Sequence, residues 1–245
     1  MKSKTWLILP AIMMVILLAY SGKVTNSSFN DAVTSTDNIL QVKDAPLFGA
    51  ADNFVVLAYS TVTNQAGVTT ITGDIGVSPL ASVVGFPPGI VNGTIHAADA
   101  AAALAQIDLA TAYTDAAGRT PFTTVTGDTL AGLNLPPGVY RGGALSLTGT
   151  LTLTGNATDV WIFQAASTLD TSAGSHIILG GTAKAANVYW VVGSSATLGA
   201  NSFFEGNIMA YASITLYSGA QVEGRVLAKT EAVTLNANTI TKPSP

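Results

Sequence analysis

A Thr-Leu dipeptide recurs along the C-terminal half of the chain. Thr197-Leu198, Thr215-Leu216 and Thr234-Leu235 lie 18 and 19 residues apart, and Thr168-Leu169 and Ser146-Leu147 precede them at steps of 29 and 22. Periods near twenty mark a solenoid, because each repeat is one turn that buries its apolar side only by stacking on the next. Phe204-Glu205-Gly206 and Val222-Glu223-Gly224 keep the same 18-residue step. Between these anchors apolar and polar residues alternate, as in Leu145-Ser146-Leu147 and Thr150-Leu151-Thr152-Leu153-Thr154, with Gly, Asn and Ser as breaks. The pattern predicts three short strands per turn, and five or six turns stacked as a parallel ladder make a rod of roughly 25–30 Å.

One segment departs from the strand pattern. Residues Ala97 to Ala117 carry neither Gly nor Pro and meet Gly118, which predicts a single helix of about 31 Å with Leu104 and Ile107 on its packing face. A helix as long as the rod can return the chain from one end to the other. The Thr69-Thr70-Ile71-Thr72-Gly73-Asp74 segment before it then becomes one further coil, separated in sequence from the rest.

The ends of the chain read differently. Lys2 and Lys4 precede an apolar run from Trp6 to Leu18 and the small-residue site Ala19-Tyr20-Ser21, the form of a cleaved secretory signal over residues 1–21. The run contains Pro10 and is shorter than the roughly 20 apolar residues that span a bilayer. Residues 22–46 are polar and unpatterned, as in a linker or mobile arm, and the solenoid domain is expected over 47–242. Cleavage leaves 8 basic against 14 acidic residues, a formal −6, and an extracellular product with no membrane partner. Ten basic residues without a cluster exclude a nucleic-acid partner, and the absence of cysteine excludes disulfides, thiolate metal sites and Cys nucleophiles. No metal or cofactor motif is present, and nothing calls for more than a monomer.

Residues two apart share one side of a strand. With Ile214 and Leu216 inward, the outward column reads Thr72, Ser146, Thr168, Thr197, Thr215 and Thr234, and its neighbour reads Thr70, Ala144, Ala166, Ser195, Ser213 and Ala232. The expected surface is flat, poor in charge and set with regular hydroxyls and methyls. It lacks the concavity that small ligands need, which favours an extended partner such as a crystal or a polymer.

Six ordered segments carry a resemblance: GDIGVSP from Gly73, LPPGVY from Leu135, VWIFQ from Val160, NVYWVVG from Asn187, FEGNIMA from Phe204 and EGRVLAKTEAVTL from Glu223. In this order they resemble the secreted ice-binding or antifreeze proteins of the discontinuous β-solenoid type known from bacteria, fungi and diatoms. The resemblance implies an all-β, right-handed β-helix of triangular section with a helix alongside, and a flat face that adsorbs to ice and blocks its growth and recrystallisation. The family's Thr-Ala/Gly-x-Thr/Asn pattern matches Thr69–Thr72, Ala165–Thr168, Ser194–Thr197, Ala212–Thr215 and Glu231–Thr234. The implied ice face therefore comprises Thr69, Thr70, Thr72, Ser146, Thr168, Ser195, Thr197, Ser213, Thr215, Ala232 and Thr234. Glu231 stands where the pattern has Thr, and Asp74, Asp170 and Tyr217 fall two residues beyond the aligned column, positions at which a charge or a bulky ring disturbs ordered water on a flat surface.

Two other readings compete. A β-helix can carry polysaccharide chemistry, and Glu205 and Glu223 should stack on adjacent coils with Arg225 close by. Glu-Gly at strand starts is a turn feature, however, and His96 and His176 read as solvated or hydrogen-bonded, so the expectation is no enzyme. An adhesin or carbohydrate-binding solenoid would want exposed Trp, whereas Trp161 and Trp190 stand in apolar strands that predict burial.

Overall fold

A computed structural model describes residues 44–244. The leader expected over residues 1–21 and most of the polar arm, up to residue 43, lie outside them. Among the described residues the chain is a parallel β-solenoid with three faces and one long helix.

The faces follow from the alternation. Ala196–Leu198, Ile214–Leu216 and Val233–Leu235 each bury their first and third residues and turn the middle Thr outward. Like stacks on like, since Thr197 pairs with Thr215 and Thr215 with Thr234. These strands belong to a seven-stranded ladder, the Thr face, with Leu145–Leu147 and Leu169–Thr171 at one end and Thr61–Asn64 and Ser82–Val84 at the other.

A second, larger sheet covers the other two faces. Phe203–Ala210 and Gln221–Ala228 are long strands that turn a corner at Gly206 and Gly224. Both have positive φ, 111° and 158°, and a Cβ on Gly224 would run into the Gly206 carbonyl oxygen, so only glycine allows neighbouring coils to turn here. Before the corner lies the Glu face, where Phe203, Gln221, Thr239, Thr70 and Ile90 pair in succession. Beyond it lies the helix face, where Trp190, Ile208, Val226 and Val56 do the same.

The expected discontinuity is present. Phe54–Ala58, Thr61–Asn64 and Thr70–Thr72 form a coil that stacks on the C-terminal coil through Val56–Val226, Thr63–Thr234 and Ile71–Ile240. Residues up to Ala97 add strands beyond it, and the helix Ala100–Gly118 returns the chain to the far end, where Thr123–Thr124 pairs with Tyr140 and Arg141. Nineteen residues give about 28 Å, the length of roughly six ladder steps.

Three details of the helix differ from expectation. It begins at Ala100, because Ile95–Ala97 still pairs with the 75–77 strand, Ala98 adopts φ 54° and Asp99 caps by accepting from the Ala102 N–H at 2.9 Å. Its packing face is Ala102, Ala105, Leu109, Ala112 and Ala116, while Leu104 and Ile107 point outward at 52% and 64% exposure. Small residues at alternating steps of three and four let the backbone lie close to the sheet, which larger side chains would prevent. Gly118 is the last helical residue, not a left-handed cap, and the chain leaves through extended Arg119 towards Thr120-Pro121.

Two cores result. Inside the coils Tyr140, Phe163, Trp190 and Phe204 stack in sequence with centroid separations of 5.3, 4.0 and 5.0 Å, and Trp161 and Trp190 are buried as expected. Between sheet and helix, Phe48, Phe54, Leu57, Ile162, Met209 and Leu227 pack against the alanine face. Ala45 packs on this second core and Pro46 is buried, so ordered packing begins ahead of Leu47.

Candidate functional site

The outward positions of the Thr face form two columns. One runs Ser146, Asp170, Thr197, Thr215, Thr234, Thr63 and Val84. Two residues earlier on each strand stand Ala144, Thr168, Ser195, Ser213, Ala232, Thr61 and Ser82. Seven strands at ladder spacing extend about 29 Å. Four consecutive coils, from Ser195/Thr197 to Thr61/Thr63, present only hydroxyls and methyls in both columns. Hydroxyls also tie neighbouring coils together, as Ser195 Oγ and Ser213 Oγ lie 3.0 Å apart. Inward partners of these strands, Ala196, Leu198, Ile214, Leu216, Val233 and Val62, are at most 1% exposed and hold the backbone beneath the array.

The structure brings together Ser146, Ser195, Thr197, Ser213, Thr215, Ala232 and Thr234, as the alternation predicted. It moves four others. Thr168 lies on the Thr face but in the second column, because Leu169 pairs with Ala196, so Asp170 sits opposite Thr197. The Thr-Leu dipeptide had set this register at 29 residues, whereas the pairing of Trp161 with Val188 sets it at 27. Thr168 Oγ1 donates to Asp170 Oδ2 at 2.8 Å. Thr69 is fully buried at a corner, donating to Asn64 Oδ1 at 2.7 Å and accepting from the Asn238 N–H at 3.1 Å. Thr70 and Thr72 project from the Glu face, in register with Thr239 and Thr241.

Thr61 and Thr63 take the place that sequence reasoning gave to Thr70 and Thr72. The signal was present: Ala58-Tyr59-Ser60-Thr61-Val62-Thr63 runs parallel to Ala210-Tyr211-Ala212-Ser213-Ile214-Thr215, an apolar strand followed by the same corner. Of the residues that depart from the pattern, Asp170 lies within the column, Tyr217 is 54% exposed two residues beyond Thr215, and Glu231 is exposed before Ala232.

The other faces differ in chemistry. The helix covers much of one. On the Glu face, Glu205 and Glu223 are in register on adjacent coils, as expected. Burial, and after it the facing Glu223, push the Glu205 carboxyl up to about 7. Arg225 does not neutralise them. It turns to the helix face, is 4% exposed, pairs with the Asp52 carboxylate and donates to Asn207 Oδ1 at 2.8 Å, because the strand turns its corner at Gly224, between Glu223 and Arg225. His96 Nδ1 lies 2.6 Å from Asp99 Oδ2, and His176 stacks on Phe203.

A family model described as ice-binding-like matches residues 56–241. An ice-binding protein of Nostoc sp. (strain HG1) is 47% identical over 198 residues, covering 79% of this chain and 73% of that protein. Another from Flavobacterium frigoris (strain PS1) is 36% identical over 241 residues, covering 91% and 87%. Among solved structures, an ice-binding protein from an Antarctic biological consortium superposes with a TM-score of 0.82 at 43% identity, covering 86% of this chain and 97% of that one. The ice-binding protein of the Antarctic ascomycete Antarctomyces psychrotrophicus gives 0.77 at 43% identity, covering 81% and 98%. In fold and in sequence, the chain belongs to the ice-binding-like family.

Proposed function

We propose that the protein adsorbs to ice through the Thr face and so inhibits ice growth and recrystallisation. The observation that carries this reading is the charge-free array on four consecutive coils, from Ser195/Thr197 through Ser213/Thr215 and Ala232/Thr234 to Thr61/Thr63. Threonine methyls favour ordered first-shell water and the hydroxyls hydrogen-bond into it, so a rigid array holds a water layer able to merge with a growing lattice. Each contact is weak, and repetition on a backbone that does not reorganise supplies the sum. The relatives named as ice-binding proteins support the same partner.

Action as an extracellular monomer belongs to this reading. Ice meets the cell from outside, and Lys2 and Lys4 ahead of the apolar run from Trp6 to Leu18 are the features of an exported chain. A monomer can present the whole array at once. The reading requires no catalysis, since adsorption breaks no covalent bond.

Ice-affinity partitioning of three variants tests the face. Thr215→Tyr and Thr63→Tyr place a ring in the array, and each is expected to lower enrichment in ice several-fold with thermal stability unchanged. Thr72→Tyr, on the Glu face, is expected to partition like the parent. Equal loss by Thr72→Tyr, or no loss by Thr63→Tyr, would exclude this face as the adsorbing surface.

A further inference from the structure

The Glu face carries a constellation that ice adsorption does not use. A concavity of about 240 Å³ lies between its outward columns, lined by Phe203, Glu205, Gln221, Glu223, Thr239 and Thr241. Phe203 forms an aromatic wall, 42% exposed, held upright by stacking on His176 at 4.8 Å between centroids and 16° between planes. Glu205 Oε2 is buried without a hydrogen-bond partner in the protein. Like charges directly opposed on neighbouring strands are unfavourable, so the Glu205–Glu223 register does not serve stability.

We propose that this concavity binds a neutral pyranose unit of a glycan, with Phe203 against the C–H face of the ring and the two carboxyl groups bonded to adjacent sugar hydroxyls. The chemistry matches on each side. A sugar ring offers an apolar face to an aromatic wall and a rim of hydroxyls that both donate and accept. With Glu205 protonated below about pH 7, the pair supplies one O–H donor and several acceptor sites, and the orphaned Oε2 gains a partner. Gln221, Thr239 and Thr241 add an amide and two hydroxyls, and Thr70 and Thr72 continue the same columns towards the next units of a chain.

Anionic ligands are disfavoured by the carboxylates. A cation would have to displace the Glu205 proton, and no cluster of three ligating side chains occurs among the described residues. The volume suits one ring, and the parallel sheet on either side suits a linear polymer rather than a compact ligand. Since this face adjoins the Thr face at a corner without being part of it, glycan and ice can be held together. The site stands on its own geometry, whether or not the Thr face adsorbs to ice.

Calorimetric titration of the purified protein with neutral hexasaccharides of β-linked glucose, mannose and galactose tests the proposal, with a calcium titration beside it. Saturable binding of at least one, with Kd below about 1 mM, is expected. Phe203→Ala and Glu223→Ala should each weaken it about tenfold or more with the melting temperature preserved, which separates loss of the site from loss of the fold. Glu205→Gln, which keeps a neutral donor, should retain most of the affinity. No saturation by any of the three sugars, binding unaltered in Phe203→Ala, or a response to calcium alone would each overturn the assignment.

Discussion

Single residues tune a face that the backbone builds. Asp170 is the one charge within the two columns, three coils from Thr234 and next to Thr197. Replacing it restores a hydroxyl-and-methyl coil to the array, so Asp170→Thr is expected to raise ice adsorption about twofold by enlarging the usable patch. Measured stability should change by less than about 0.5 kcal/mol, because the side chain is exposed and bonded only to Thr168. Glu205 produces a pH dependence of the opposite kind to most carboxylates. Its folded-state pKa of about 7 lies above the ordinary value of 4.5, so between these values the folded state binds more protons and stability falls as pH rises. The ionised form therefore costs the folded state about 1–2 kcal/mol after allowance for solvent screening, a penalty absent below pH 4.5 and complete above about 7. Urea denaturation of Glu205→Gln should give a flatter pH profile, with the variant more stable than the parent at pH 8.

The elements are held by packing that sequence alternation only partly reveals. Strands were legible because inward and outward residues differ in chemistry at every second position, and the Thr197, Thr215 and Thr234 register could be read directly. The helix was legible by composition but not by face. Its buried residues are mostly alanine and its exposed ones include Leu104 and Ile107, so hydrophobicity alone points the wrong way. Leu109→Ala is therefore expected to cost about 2–4 kcal/mol in denaturant unfolding, and Leu104→Ala or Ile107→Ala less than about 0.5. The 44–53 segment had no periodic signal at all. It is held by Phe48 in the second core and by Asp52 on buried Arg225, a contact between residues 173 apart that no local pattern announces. Asp52→Ala should destabilise by about 2–3 kcal/mol, since it leaves a buried guanidinium without its counter-charge, and the double variant with Arg225→Met should recover much of that loss.

At the scale of the molecule, the array is completed where the first and last folded segments meet, with Thr61 and Thr63 beside Ala232 and Thr234. Sequence reasoning recognised that an early coil must join the late ones, yet assigned Thr70 and Thr72 to it because it matched a motif without tracing which strand follows the apolar one. The ends of the described chain also converge, as 45–48 and 242–244 line one groove. A circular permutant that joins them by a short linker and opens at Gly149, a turn glycine with open space about it, is expected to keep the fold and the ice adsorption, checked by circular dichroism and partitioning. The same closure fixes an order of events in synthesis. Residues 54–72 find one flanking ladder partner only in 221–241, so a chain emerging N-terminus first has no complete rod to fold into until its last coil is made. Topology thus holds back the closed rod until residues 221–241 have been made, however early the first coil emerges.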